Sequence, residues 1–272
     1  MKKSINSSDI GIRSLIPYAV ITFGIAWGVL GFYIFMPEFA TDLCGELSGR
    51  HPLFYLAVYA PALAAFFLVA RRGGVAGLRR FAARGLLWRC SPAWAAFLLI
   101  GVPLPFFAGA ALAGKWPAEL FSFPSCRAYL SALLFMAIKG PIEEFGWRGL
   151  ALPLLQRKVA PIWAALILGI IWAIWHAPAF LLSGTPQGAW SLTPFLLGTV
   201  ALSVIVTPLY NSSRGSILLP ALFHLQLINP LWPEAQPYDT AIFVLVAIGI
   251  VWLNRETMFT RAAALTAVIG DE

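Results

Sequence analysis

Residues 128–155 read AYLSALLFMAIKGPIEEFGWRGLALPLL. The run is long and apolar enough to cross a bilayer, which takes roughly 20 such residues. Yet Lys139, Glu143, Glu144 and Arg148 sit in its middle. A charge placed in hydrocarbon costs several kcal/mol by most estimates, roughly 3 or more, so such residues face a protein interior and mark function. The stretch therefore predicts a helix enclosed by other membrane helices.

The rest of the chain agrees. Of 272 residues, 60% are apolar and 11% charged, with a mean hydropathy of +0.79; soluble domains carry about 25% charged residues. Further apolar runs at 14–36, 52–70, 92–114, 161–183, 193–210, 216–231 and 239–254 bring the expected spans to eight. The fold class is all-α, a polytopic transmembrane bundle in one domain over 1–272, with a motif-bearing core at about 128–230. The run after Arg13 is too long for the core of a cleavable signal and reads as a retained span.

The net charge of +7 does not point to nucleic acid, because the basic residues cluster between spans. Lys2, Lys3, Arg13, Arg71, Arg72, Arg79, Arg80, Arg84, Arg89, Arg157, Lys158, Arg214, Arg255 and Arg261 all fall on one side if the spans alternate. The opposite loops hold Arg50, Lys115 and Arg127 beside Glu38, Asp42, Glu46, Glu119, Glu234 and Asp239. Excess Lys and Arg stays in the cytoplasm, so both termini are expected there, in the plasma membrane if the source is prokaryotic. The loop 71–89 is expected on that membrane surface, either against anionic headgroups or only setting topology. Cys44, Cys90 and Cys126 have no CxxC spacing; a disulfide joining Cys44 to Cys126 is compatible with their shared side. Gly24 and Gly28 form a GxxxG, which predicts close helix packing.

Two of the three histidines, His176 and His224, also lie within expected spans. Glu143 and His176 are each roughly 25 Å along their helices from the turn near Lys158 and Pro161, which puts them at one level. His224 reads as shallower and converges with them if helices tilt or if Gly140–Pro141 kinks the fourth span. Glu144 and Arg148 are four apart and can pair, either as a structural ion pair or as a substrate-orienting one. That leaves Glu143 for other work, although Lys139 is four before it: either the two pair, which would lower the basicity of Glu143, or Lys139 snorkels elsewhere. A carboxylate and two imidazoles at one depth suit water activation, with or without a metal.

At these residues the chain resembles the CAAX protease and bacteriocin-processing family of intramembrane metalloproteases, which includes the type II CAAX prenyl proteases. Glu143-Glu144-Phe145-Gly146-Trp147-Arg148 matches EExxxR. Trp172-Ala173-Ile174-Trp175-His176 matches FxxxH with Trp for Phe, a change expected to matter little. His224 begins HxxxN, but Ile228 stands where the Asn is due and Asn229 follows one place late.

The resemblance implies an intramembrane endopeptidase acting near the end of a membrane-associated or prenylated protein or peptide. It implies catalytic roles for Glu143, Glu144, His176 and His224, with Arg148 and Asn229 supporting. Zinc or another divalent metal on His176, His224 and Glu143 is one expectation, metal-free catalysis the other. The substrate is expected to enter from the cytoplasmic side. An ion- or proton-coupled transporter and a catalytically silent scaffold or immunity protein are the rival readings. For Asn229, a π-bulge or a helix end near Pro230 would turn it to the site; otherwise it is an interhelical hydrogen bonder.

Overall fold

In a computed structural model, the protein is described over residues 10–115 and 125–269; Lys2, Lys3 and Glu119 lie outside the described residues. Among the described residues, five helices are long and apolar enough to cross a membrane: Ile12–Phe35, Pro52–Leu86, Pro92–Leu112, Pro161–Leu181 and Leu192–Ser212. We label the elements α1 (Leu15–Phe35), α2 (Pro37–Cys44), α3 (Pro52–Ala83), α4 (Pro92–Leu112, with a π-helical turn at Phe97–Gly101), α5 (Cys126–Lys139), α6 (Leu152–Gln156), α7 (Pro161–Trp175), α8 (Leu192–Ser212), α9 (Leu218–Leu227) and α10 (Tyr238–Leu253).

Local chemistry starts these helices. Pro37, Pro52, Pro92 and Pro161 occupy first turns, where a missing N–H costs nothing. Ser91 and Ser125 accept from the Trp94 and Ala128 amides as caps.

The fourth expected span is not one helix. Between α5 and α6 the backbone runs through a 3₁₀ turn at Gly140–Glu143, a short α turn at Glu144–Gly146 and a π turn at Trp147–Ala151. Pro141 cannot donate to the carbonyl one turn back, so the break falls where Gly140–Pro141 predicts it. The broken segment fits because its neighbours come very close. A Cβ on Gly146 would lie 2.5 Å from the backbone of Pro61 in α3.

Two expectations about the other spans change. The second helix does not stop at residue 70 but runs to Ala83 through a kink at Gly74, whose φ is +57°. The seventh span is the ten-residue α9, followed by irregular chain. Among the described residues nothing lies within 4 Å of a Cβ placed on Gly24 or Gly28, so that GxxxG makes no close contact there. All three cysteines are free.

The bundle has two unlike faces. On the arginine-rich face the described ends of the chain meet: Arg157 donates to the carbonyls of Ile10 and Thr266. Gln156 and Asn211 pair through their amides and both hold Leu265. Arg84 is buried there, whereas Arg71, Arg72, Arg79 and Arg89 are exposed. It donates to the carbonyls of Gly149, Gly215 and Val268 and to the Tyr210 hydroxyl, at 2.6–2.9 Å. Its own carbonyl accepts from Ile217 at 2.9 Å, which recesses the start of α9 into the bundle. The opposite face carries α2, the two 3₁₀ turns Ala177–Leu181 and Pro186–Ala189 between α7 and α8, and the irregular chain between α9 and α10.

Candidate active site

That recess corrects the expected depth of His224. Because α9 begins level with Gly149, His224 reaches the level of Glu143, and its Nε2 would lie 2.9 Å from a Cβ on Gly140. The glycine is required by this approach. Glu143, His176 and His224, from three separate spans, line one cavity of about 620 Å³.

Each carboxylate has a distinct setting. Glu143 is 4% exposed, and its Oε2 accepts from two indole N–H groups, Trp147 Nε1 at 3.2 Å and Trp172 Nε1 at 3.0 Å. Glu144 is 1% exposed, and its Oε1 meets Arg148 Nη1 at 3.0 Å and His224 Nδ1 at 2.9 Å. The predicted Glu144–Arg148 pair is therefore present, and it extends to His224, a link that the spacing did not suggest. A charge-assisted network of this kind holds its members more tightly than neutral hydrogen bonds would.

Trp172 is the centre of the arrangement. Its N–H holds Glu143, its face lies 4.4 Å from the Arg148 guanidinium carbon, and it meets the His224 ring edge-on at 5.5 Å. Its replacement of Phe therefore matters, because a phenyl ring has no N–H to offer the carboxylate. Sequence reasoning also passed over Trp147. The signal was available: its spacing of four from Glu143 places the two side chains on one helix face.

His176 ends α7, and its Nδ1 lies 2.8 Å from the Trp172 carbonyl. A carbonyl only accepts, so Nδ1 carries the hydrogen and Nε2 keeps its lone pair in the neutral ring. Trp175 and Phe195 pack against the ring at centroid distances of 4.7 and 5.0 Å.

Asn229 reaches the cavity wall through the end of α9, not through a π-bulge. Its Nδ2 donates to Gln226 Oε1 at 3.2 Å and its Oδ1 accepts from the Leu231 amide at 3.0 Å. Among the described residues, no three or more His, Cys, Asp or Glu side chains are grouped so as to hold an ion. Nδ1 of each site histidine and Oε2 of Glu143 are already engaged.

The cavity is lined by the halves of the helices that lie away from the arginines, and by the segments 186–191 and 229–236 on the opposite face. No lining residue comes from the arginine-rich face.

Residues 125–227 match the family model described as type II CAAX prenyl endopeptidase Rce1-like. Over that segment the chain is similar to the Rce1-like family. A CAAX prenyl protease 2 from Methanococcus maripaludis is 27% identical over 153 residues, covering 52% of this chain and 55% of the relative. The chain thus spans about half the length of the curated relative it matches. The family match contains the first two motifs, His224 of the third and the whole broken segment. It stops at Leu227, two residues before Asn229, where this chain departs from the family pattern.

Proposed function

We propose that the protein is an intramembrane peptidase of the CAAX-protease type that uses Glu143 to activate water. One observation carries the reading: Glu143 shares one cavity of about 620 Å³ with two histidines from other helices, while two indoles hold only one of its oxygens. A purely structural carboxylate would be expected to pair with the nearby cation, but Arg148 is taken by Glu144.

In this mechanism the free oxygen of Glu143 removes a proton from water as the water oxygen bonds to the scissile carbonyl carbon. The π electrons move to the carbonyl oxygen. His176 accepts the other water hydrogen at Nε2 and so orients the attack. His224, fixed at Nδ1 by Glu144, presents Nε2 to the same space and donates to the oxyanion when protonated. Collapse of the tetrahedral intermediate breaks the C–N bond, and Glu143 returns the proton to the leaving amine. No step runs through a metal. The substrate is a polypeptide near one of its ends.

The test is incubation of the purified, reconstituted protein with a peptide library, read by mass spectrometry, beside Glu143→Gln. Cleavage is expected in the parent and should fall about 10²–10⁴-fold in the variant, the usual loss for a general base. Exhaustive chelation is expected to leave the parent rate unchanged. Full activity in a folded Glu143→Gln protein overturns the proposal, and loss on chelation that a divalent ion restores overturns its metal-free form.

A further inference from the structure

The cavity at Glu143 is sealed towards one face of the bundle and open towards the other. On the arginine-rich side, Trp147, Leu150, Leu152 and Leu154 are completely buried, and Arg84 ties the motif segment to Gly215 and Val268. On the opposite side, Ala189 and Ser191 are both exposed and part of the cavity lining, so the cavity continues to that surface.

The charges of the two faces differ as much. The face with the mouth carries Arg50, Lys115 and Arg127 as its cations, against Glu38, Asp42, Glu46 and Glu234. Nearly all the other Lys and Arg residues gather at the sealed face, which by the charge rule is cytoplasmic.

The cavity also contains a cation in no direct ion pair, with Glu143 acting on it only through space. Lys139 lines it one helical turn before Glu143, on the mouth side, with its Nζ 5.5 Å from the centroid of the Phe54 ring. Among the described residues no carboxylate lies within ion-pair distance of it. Arg50 and Lys139 line a second, smaller cavity beside the mouth. A cation held on an aromatic face in a partly desolvated channel suits a carboxylate better than an apolar group.

We propose that the site is fed from the extracytoplasmic side, and that its substrate is the carboxylate-bearing end of a polypeptide exposed there, anchored at Lys139. A terminus made and lipidated in the cytoplasm would meet the sealed face. The substrate part rests on the peptidase reading above; the access part does not.

The access test uses single cysteines in a Cys44→Ala, Cys90→Ala, Cys126→Ala background. Ser191→Cys marks the rim, Thr199→Cys the cavity wall roughly 10 Å deeper along α8, and Thr260→Cys the arginine-rich face. In intact cells a charged, impermeant methanethiosulfonate is expected to label the first two, and Thr260→Cys only after lysis. The reverse pattern overturns the proposal, as does labelling of Thr199→Cys only after lysis. Because labelling needs no turnover, a protein that labels as expected but cleaves nothing refutes the peptidase reading and leaves the access route standing. For the anchor, immobilised Glu143→Gln protein is offered mixed hexapeptides as free acids and as C-terminal amides. About tenfold enrichment of the acids is expected, as for one lost charge-assisted bond, and Lys139→Met should abolish it. Equal or absent retention of the two overturns the anchoring role.

Discussion

Arg84 and Arg148 are both buried, 7% and 1% exposed, but they do different things because their partners differ. Arg84 meets three backbone carbonyls and a phenol. None of these groups readily exchanges a proton, and together they join the motif segment, the approach to α9 and the chain's last described residues. The guanidinium is a clamp. Arg148 meets Glu144, which shares the same oxygen with His224, whose other nitrogen faces the cavity. Here the guanidinium fixes a carboxylate that fixes an imidazole. One arginine closes the floor of the bundle, and the other sets the geometry of the chemistry just above it. The lesson is that a buried charge in a membrane protein marks a site only when its partners can themselves move protons or touch a ligand.

The strongest way to break this distinction is Glu144→Ala. It strands Arg148 and releases His224 together, and removing one partner of a buried pair typically costs about 3–5 kcal/mol. Poor yield, a lower unfolding midpoint in detergent and loss of turnover are expected. A stable but inactive Glu144→Ala protein with Glu143→Ala merely impaired would exchange the roles given to the two glutamates. Arg84→Met should cost somewhat less, roughly 3 kcal/mol, since hydrogen bonds to a charged group contribute about 1.5–3 kcal/mol each and the freed carbonyls relax. Its turnover per folded molecule should match the parent, measured by active fraction after size exclusion. A large fall in that value would place Arg84 in the site and erase the contrast.

Trp172→Phe sharpens the comparison. It keeps the aromatic face over Arg148 and deletes one of the two N–H groups holding Glu143. A fall in kcat of about tenfold with little change in KM is expected, the worth of one hydrogen bond made to a charged group at the low end. An unchanged kcat would mean that Trp147 alone positions the carboxylate. The smallest effect belongs to Asn229→Ala. Its amide is engaged by Gln226 and its carbonyl by Leu231, so kcat should change by less than about threefold, within the range of a surface-like substitution. A much larger loss would show that it turns to the oxyanion during turnover.

Much of this molecule is legible without coordinates. Hydropathy and the distribution of Lys and Arg are properties of short segments, because the cost of a charge in hydrocarbon is paid locally wherever the segment sits. They identify the membrane bundle, collect the basic residues on one face and single out Glu143, Glu144, Arg148, His176 and His224 as residues that need a protein interior. Gly140–Pro141 likewise announces its kink, since a missing N–H acts on its own turn.

Direction and partnership are different in kind. That Trp172 supports Glu143, that Arg84 is a clamp in a loop whose other arginines are mostly exposed, that Gly24 and Gly28 meet no close neighbour among the described residues, and that the cavity opens away from the arginines depend on how separate helices are rotated and recessed against one another. Such rotations are set by the sum of many weak interhelical contacts. The sequence by itself therefore determined which residues cannot face lipid, while only the tertiary structure decided what each of them faces instead.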